Sequence, residues 1–132
     1  MIGLDTNVIV RFLAQDDEMQ SRLATRLFSR LSRDNPGFVS LVVLAEVSWV
    51  LARAYKSSRA ELSTAIEGLL RSAELRVEKA EAAWRALGVY QASASTEFAD
   101  ALIAEIAALE GATQTMTFDR RAASEAGMTL LA

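Results

Sequence analysis

The chain has no cysteine and no histidine, and only one proline among its 132 residues. Without cysteine there is no disulfide, no thiolate metal site and no cysteine nucleophile, which suits a reducing compartment. The lack of histidine is more restrictive, because it removes the commonest general base, the commonest metal ligand and the middle member of a Ser-His-Asp arrangement. Chemistry on this chain must run on carboxylates, hydroxyls, lysine or arginine, or a bound cation. A basic surplus is missing as well. The net charge of −3 speaks against a protein that simply coats nucleic acid with positive charge, though not against a local basic surface. Long hydrophobic runs are also absent. The best candidate, residues 38–55, is broken by Ser40, Glu46, Ser48 and Arg53, short of the roughly 18 uninterrupted apolar residues of a membrane span. The start, Met1-Ile2-Gly3-Leu4-Asp5, has neither the basic opening nor the long apolar stretch of a signal peptide. A soluble, cytoplasmic protein with no membrane association is expected.

What is present is a hydrophobic fraction of 52%, enough for a real core in a single domain over residues 1–132. Short apolar, β-prone pieces alternate with longer helical ones, the pattern of an α/β domain with a parallel sheet. Strands are predicted at residues 2–4, 37–39, 75–77, 113–117 and 129–131. Helices are predicted at 6–13, 17–32, 41–54, 58–70, 79–92 and 97–109. Ser40 is placed to cap the third helix, Ser58 and Glu61 form a capping-box pattern, and Gly111 is placed to end the sixth. In the second helix Met19, Leu23, Leu27 and Leu31 recur at helical spacing, with Arg22, Arg26 and Arg30 on another face.

Four acids stand in structured places. Asp5 follows a short apolar strand and Asp119 follows the run Thr113 to Phe118, so both lie at carboxyl ends of strands, where open α/β sheets place their ligands. Each is equally suited to an ordinary turn or helix-cap role. Glu46 has Val42, Val43, Trp49 and Val50 as helical neighbours, and a carboxylate on an apolar face is costly unless paired, hydrogen-bonded or bound to a metal. Ion pairing with one of the arginines is the simplest alternative. Asp100 sits inside an alanine-rich helical segment, although aspartate is a poor helix-interior residue. Together they suggest one carboxylate cluster. Such a cluster cannot fully ionise at close range without a counter-charge, and hard divalent cations prefer oxygen ligands.

Asp5-Thr6-Asn7, Leu44-Ala45-Glu46-Val47, Ala99-Asp100-Ala101-Leu102-Ile103 and Thr117-Phe118-Asp119, in this order and spacing, resemble PIN-domain nucleases. More narrowly they are similar to the VapC-type toxins of bacterial and archaeal toxin–antitoxin pairs. The resemblance covers the whole chain. It implies a three-layer α/β/α domain with a central parallel sheet of about five strands, and a Mg²⁺- or Mn²⁺-dependent endoribonuclease activity. It also implies a homodimer and a small antitoxin that blocks the site. Carried over by position, Asp5, Glu46, Asp100 and Asp119 would be the catalytic, metal-binding acids. Thr6, Asn7 and Thr117 would support them by hydrogen bonding, although each also reads as an ordinary cap or strand residue. Glu97, one turn before Asp100, is a fifth acid that the dipole of its helix already explains.

An RNA substrate brings its own negative charge. Arg11, Arg120 and Arg121 are close enough in sequence to the acids to contact phosphate. The Arg22, Arg26, Arg30 stripe reads as a solvated helix face, and Trp49 and Trp84 as core or interface packing residues. Two other functions fit the same residues: a phosphatase using the same carboxylate–metal site, and an inactive PIN-like module that binds protein through its apolar helices.

Overall fold

Three of the four strand-to-helix junctions in this chain are marked by a short polar side chain that accepts a free amide of the next helix, while the fourth, at Lys79, has no side-chain cap. The computed structural model describes residues 1–132 and contains β1 (Ile2–Gly3), α1 (Thr6–Ala14), α2 (Glu18–Ser29), β2 (Gly37–Val39), α3 (Leu41–Arg53) and α4 (Arg59–Arg71). It continues with β3 (Leu75–Val77), α5 (Ala80–Ala92), α6 (Phe98–Leu109), β4 (Met116–Thr117), α7 (Arg120–Glu125) and β5 (Thr129–Leu130). Asp5, Asp17, Ser40, Ser58 and Asp119 are the capping residues of α1, α2, α3, α4 and α7, each accepting an amide hydrogen on its side chain. Ser58 and Glu61 form the reciprocal capping box. Gly111 follows α6 with φ of +99° and donates its amide to the Ala108 carbonyl at 3.0 Å, as the sequence predicts. No helix is long and apolar enough to cross a membrane.

The chain divides into two compact units, Met1–Glu78 and Lys79–Ala132. The first holds a parallel sheet in the order β1-β2-β3. Ile2 pairs with Gly37 and Gly3 with Phe38, while Gly37, Phe38 and Val39 pair with Leu75, Arg76 and Val77. The central strand starts on a glycine closely surrounded by leucine side chains. A Cβ at Gly37 would stand 2.7 Å from Leu4 Cδ1 and 3.0 Å from Leu31 Cδ1. Buried aliphatics of α1, α3 and α4, among them Ile9, Leu44, Val47 and Ile66, complete this unit's core.

In the second unit α5 and α6 pack through small residues, Ala82, Ala83, Ala86 and Ala101, with Tyr90 edge-on to Phe98 at 6.3 Å. Here β4 and β5 pair with each other in parallel, Met116 opposite Thr129 and Thr117 opposite Leu130. The α7 crossover between them buries Ala122 and Ala126 with Met128 and half-buried Ala104.

The architecture is α/β, as expected, but the expected sheet of about five strands is not formed. Three strands pair in one sheet and two in another. The strand predicted at residues 113–117 shrinks to Met116–Thr117, because β5 offers only two residues to pair with. Helix α2 is also turned from its expected orientation. Ser21 and Ala24 face inward, while Met19 and Leu23 stand exposed beside the solvated Arg22, Arg26 and Arg30; Leu27 is half-buried and Leu31, beyond the helix end, is buried as expected. Trp49 and Trp84 are exposed, so neither packs in the core of its unit, and the Arg53 guanidinium lies 4.4 Å from the Trp49 ring centre.

Candidate functional site

In the first unit, β1 ends against the turn that carries Asp5. The backbone of Asp5 is extended, and its Oδ1 accepts the Thr6 amide at 2.8 Å as the chain enters α1. The next side chain reaches across to another element: Thr6 Oγ1 donates to Glu46 Oε1 at 2.7 Å, forty residues away. Glu46 is carried there by α3, which begins directly after β2, is capped by Ser40 and is anchored through buried Leu44, Val47 and Leu51. Parallel strands β1 and β2 therefore deliver Asp5 and Glu46 from the same sheet edge, with Thr6 touching both acids, one through its amide and one through its hydroxyl.

The physical ground for singling out Glu46 needs correction. Its carboxylate is exposed, and so are its neighbours Val42, at 70%, and Trp49, at 53%. It lies on the outward face of α3, so no desolvation cost demands a partner there. What marks it instead is its hydrogen bond with Thr6. Asn7 is exposed in the first turn of α1. Arg11 is engaged within its own unit, with Nε donating to Gln20 Oε1 at 2.7 Å and Nη1 to the Tyr55 hydroxyl at 2.9 Å and to Asp16 at 3.4 Å. The Tyr55 hydroxyl in turn donates to Asp16 Oδ2 at 2.8 Å, and that bond to a carboxylate holds its pKa above the ordinary value.

In the second unit, Asp100 lies in the first turn of α6, half-buried. Its pKa is raised, first by burial and then by the negative charges of Glu97 and Asp119. These three acids are thus close enough to feel one another, so Glu97 is a real electrostatic neighbour of the predicted site. Glu97 precedes the first turn of α6 but makes no side-chain cap bond to it. Asp119 does cap its helix: Oδ1 accepts the amides of Arg121 at 2.8 Å and Ala122 at 3.3 Å. Its own amide donates to Thr117 Oγ1 at 3.0 Å. Arg120 and Arg121 follow on the exposed first turn of α7.

One group of this unit has no counterpart in the sequence reading. At the end of α7 Glu125 accepts hydrogen bonds from the hydroxyls of Ser93, at 2.9 Å, of Ser95, and of Thr96, at 3.4 Å. These bonds lower its pKa and tie α7, with Asp119 at its start, to the segment that leads into α6 and Asp100. Three hydroxyls within four residues, Ser93, Ser95 and Thr96, are the signal that could have pointed to it.

The donor chemistry is uniform. Asp5, Glu46 and Asp119 each have one carboxylate oxygen held by the hydrogen bonds described, which leaves the second for another partner. Within its own unit none of the four acids is in an ion pair, so the arginine alternative for Glu46 is not realised there. In the second unit Asp100, whose ionisation is opposed by burial and by the charges of Glu97 and Asp119, is the kind of carboxylate that a hard divalent cation stabilises. Within either unit, no three acids are placed to hold an ion by themselves.

No curated protein matches the chain. A family model does. The PIN domain model matches residues 2–127, a span that runs from β1 to the glycine after α7 and includes Asp5, Glu46, Asp100 and Asp119 in sequence order. The match runs over nearly the whole length and settles the assignment: the chain belongs to the PIN domain family.

Proposed function

We propose that this protein is a Mg²⁺- or Mn²⁺-dependent endoribonuclease, and that it is the toxin of a VapC-type toxin–antitoxin pair acting in the cytoplasm. PIN domains are generally nucleases and usually use divalent metals. The observation that carries the reading is the Asp5–Thr6–Glu46 arrangement, in which one threonine orients two acids delivered by neighbouring parallel strands. Asp5, Glu46, Asp100 and Asp119 are the metal-holding acids in this proposal.

The bound cation would lower the pKa of water and polarise a phosphodiester, which is how hydrolysis proceeds without histidine. The chain's own residues supply the rest. Thr6 holds Glu46 in place through its hydroxyl, and Asp119 is kept in one rotamer by the two amides it caps. Asn7 and Thr117 adjoin Asp5 and Asp119 as further polar support. Exposed Arg120 and Arg121 offset the charge of RNA phosphates. Arg11, already bonded to Gln20, Asp16 and Tyr55, has less of its guanidinium left for that task.

The proposed protein partners are a second copy and an antitoxin. Support comes from exposed apolar residues on α3, Val42 and Trp49, and on α2, Met19 and Leu23. A groove of about 330 Å³ also runs between α1 and α2, lined by Asn7, Val8, Arg11, Gln20, Leu23 and Leu27. The deciding experiment is RNA cleavage by antitoxin-free protein, with Mg²⁺ or Mn²⁺ and with a chelator. Activity should require the metal and disappear in Asp5→Asn; full metal-dependent activity in that variant would refute the reading. A monodisperse monomer, soluble alone at micromolar concentration, would refute the partner assignments.

A further inference from the structure

Phe118 is the most exposed of the chain's large hydrophobic side chains, at 80%. Nothing in the second unit's core claims it, although the neighbouring cluster of Ala122, Ala126 and Met128 is apolar and well packed. Nor does it sit on a loose loop. It occupies the bend after β4, and the Thr117 hydroxyl accepts the Asp119 amide at 3.0 Å across it. Asp119 is then fixed by the two amides of α7 that it caps. The backbone on both sides of Phe118 is therefore held, and its ring stands in solvent. Directly after it come Asp119, Arg120 and Arg121, all exposed.

A solvent-facing ring on a fixed backbone bend beside two cations is what single-stranded nucleic acid binding uses, with bases stacking on the aromatic face and the backbone phosphates held by basic residues. We infer that Phe118 is a stacking platform for an unpaired nucleobase of the RNA, next to the phosphate engaged by Arg120 and Arg121. The inference rests on the endoribonuclease reading for its substrate class, but its evidence is the exposure and bracketing of this one ring. A base without its partner strand is the required ligand, because a paired base offers no free face. Substrates should therefore be cut in loops or single strands, and purines, with their larger ring area, should be favoured at the position that meets Phe118.

The test uses the full chain with a chelator present, so that binding is read without cleavage. Fluorescence anisotropy of a labelled single-stranded oligoadenylate reports affinity for the wild type and for Phe118→Ala, Phe118→Leu and Phe118→Trp. Stacking predicts at least a tenfold loss for both Ala and Leu and retention for Trp. Leu109→Ala, which removes another exposed apolar side chain of the same unit, should bind as wild type. Three results would overturn the proposal: unchanged binding by Phe118→Ala, retention by Phe118→Leu, or a change of oligomeric mass in Phe118→Ala with RNA affinity intact. The last would make the ring a protein contact. A wild type that binds no RNA would overturn both readings. Phe118-dependent binding without metal-dependent cleavage would refute the nuclease and leave the stacking site standing.

Discussion

Replacing Thr6 by valine removes one hydroxyl and keeps the branched shape, so it isolates the 2.7 Å bond between Thr6 Oγ1 and Glu46 Oε1. A hydrogen bond to a charged acceptor contributes about 1.5–3 kcal/mol when well shielded. Glu46 is exposed and Thr6 only half-buried, so water competes at the acceptor and about 1 kcal/mol is the appropriate figure. For a cooperatively unfolding chain of this length that loss lowers Tm by about 3–4 °C. The functional consequence should be larger, because a misaligned ligand costs more than a lost surface bond. Removing a group that orients a metal ligand typically weakens metal affinity or activity by roughly 10- to 100-fold. The assay is RNA cleavage as a function of Mn²⁺ concentration for wild type, Thr6→Val, Thr6→Ser, Glu46→Ala and the Thr6→Val/Glu46→Ala pair. Thr6→Val should need more Mn²⁺, Thr6→Ser should recover most of the loss, and Thr6→Val should add little in the Glu46→Ala background. An unchanged Mn²⁺ requirement in Thr6→Val would refute the orienting role. Thermal unfolding of the same double-mutant cycle gives an independent check: a full Thr6→Val destabilisation that persists without Glu46 would show that the hydrogen bond is not its cause.

Asp119 combines a cap and a proposed metal ligand, and two substitutions separate these: asparagine caps as well as aspartate, so Asp119→Asn should keep Tm and lose cleavage. Asp119→Ala should lose both, the missing cap costing about 1 kcal/mol and lowering Tm by about 3–4 °C in thermal unfolding. Glu125 has a pKa lowered by the hydroxyls of Ser95 and Ser93, so its contribution is complete above the ordinary value of 4.5 and lost as pH falls below it. Urea unfolding should show Glu125→Gln less stable than wild type at neutral pH, with the difference closing in acid; a constant difference would contradict the assignment. Ser58→Ala breaks the capping box of α4 and should cost about 1 kcal/mol in denaturant unfolding, with RNA cleavage unchanged.

Local signals were legible wherever the deciding partner is near in sequence. The caps at Ser40 and Ser58, the end of α6 at Gly111 and the strands at 37–39 and 75–77 follow from neighbouring residues and came out as read. Helix α7 did not. At six residues it is too short to show a hydrophobic period, although Asp119 before Arg120 and Gly127 beyond the end were available as boundary signals. The reason first given for Glu46 failed because an apolar helix face in a sequence need not be a buried one; Val42 and Trp49 share the exposed face with it.

By itself the sequence determined the chemistry. A chain without histidine or cysteine is left with carboxylates, hydroxyls, lysine, arginine or a bound cation for any chemistry it does. It also determined the α/β class, because helix and strand periods and their caps are properties of short stretches. Tertiary structure decided what depends on which distant segments meet. Only pairing through space shows that Thr6 orients Glu46, that Glu125 is held by the hydroxyls before α6, and that Asp119 adds its charge to Asp100. It also decided that five short strands separate into sheets of three and two, since strand pairing is a long-range choice that two-residue segments carry too little pattern to specify.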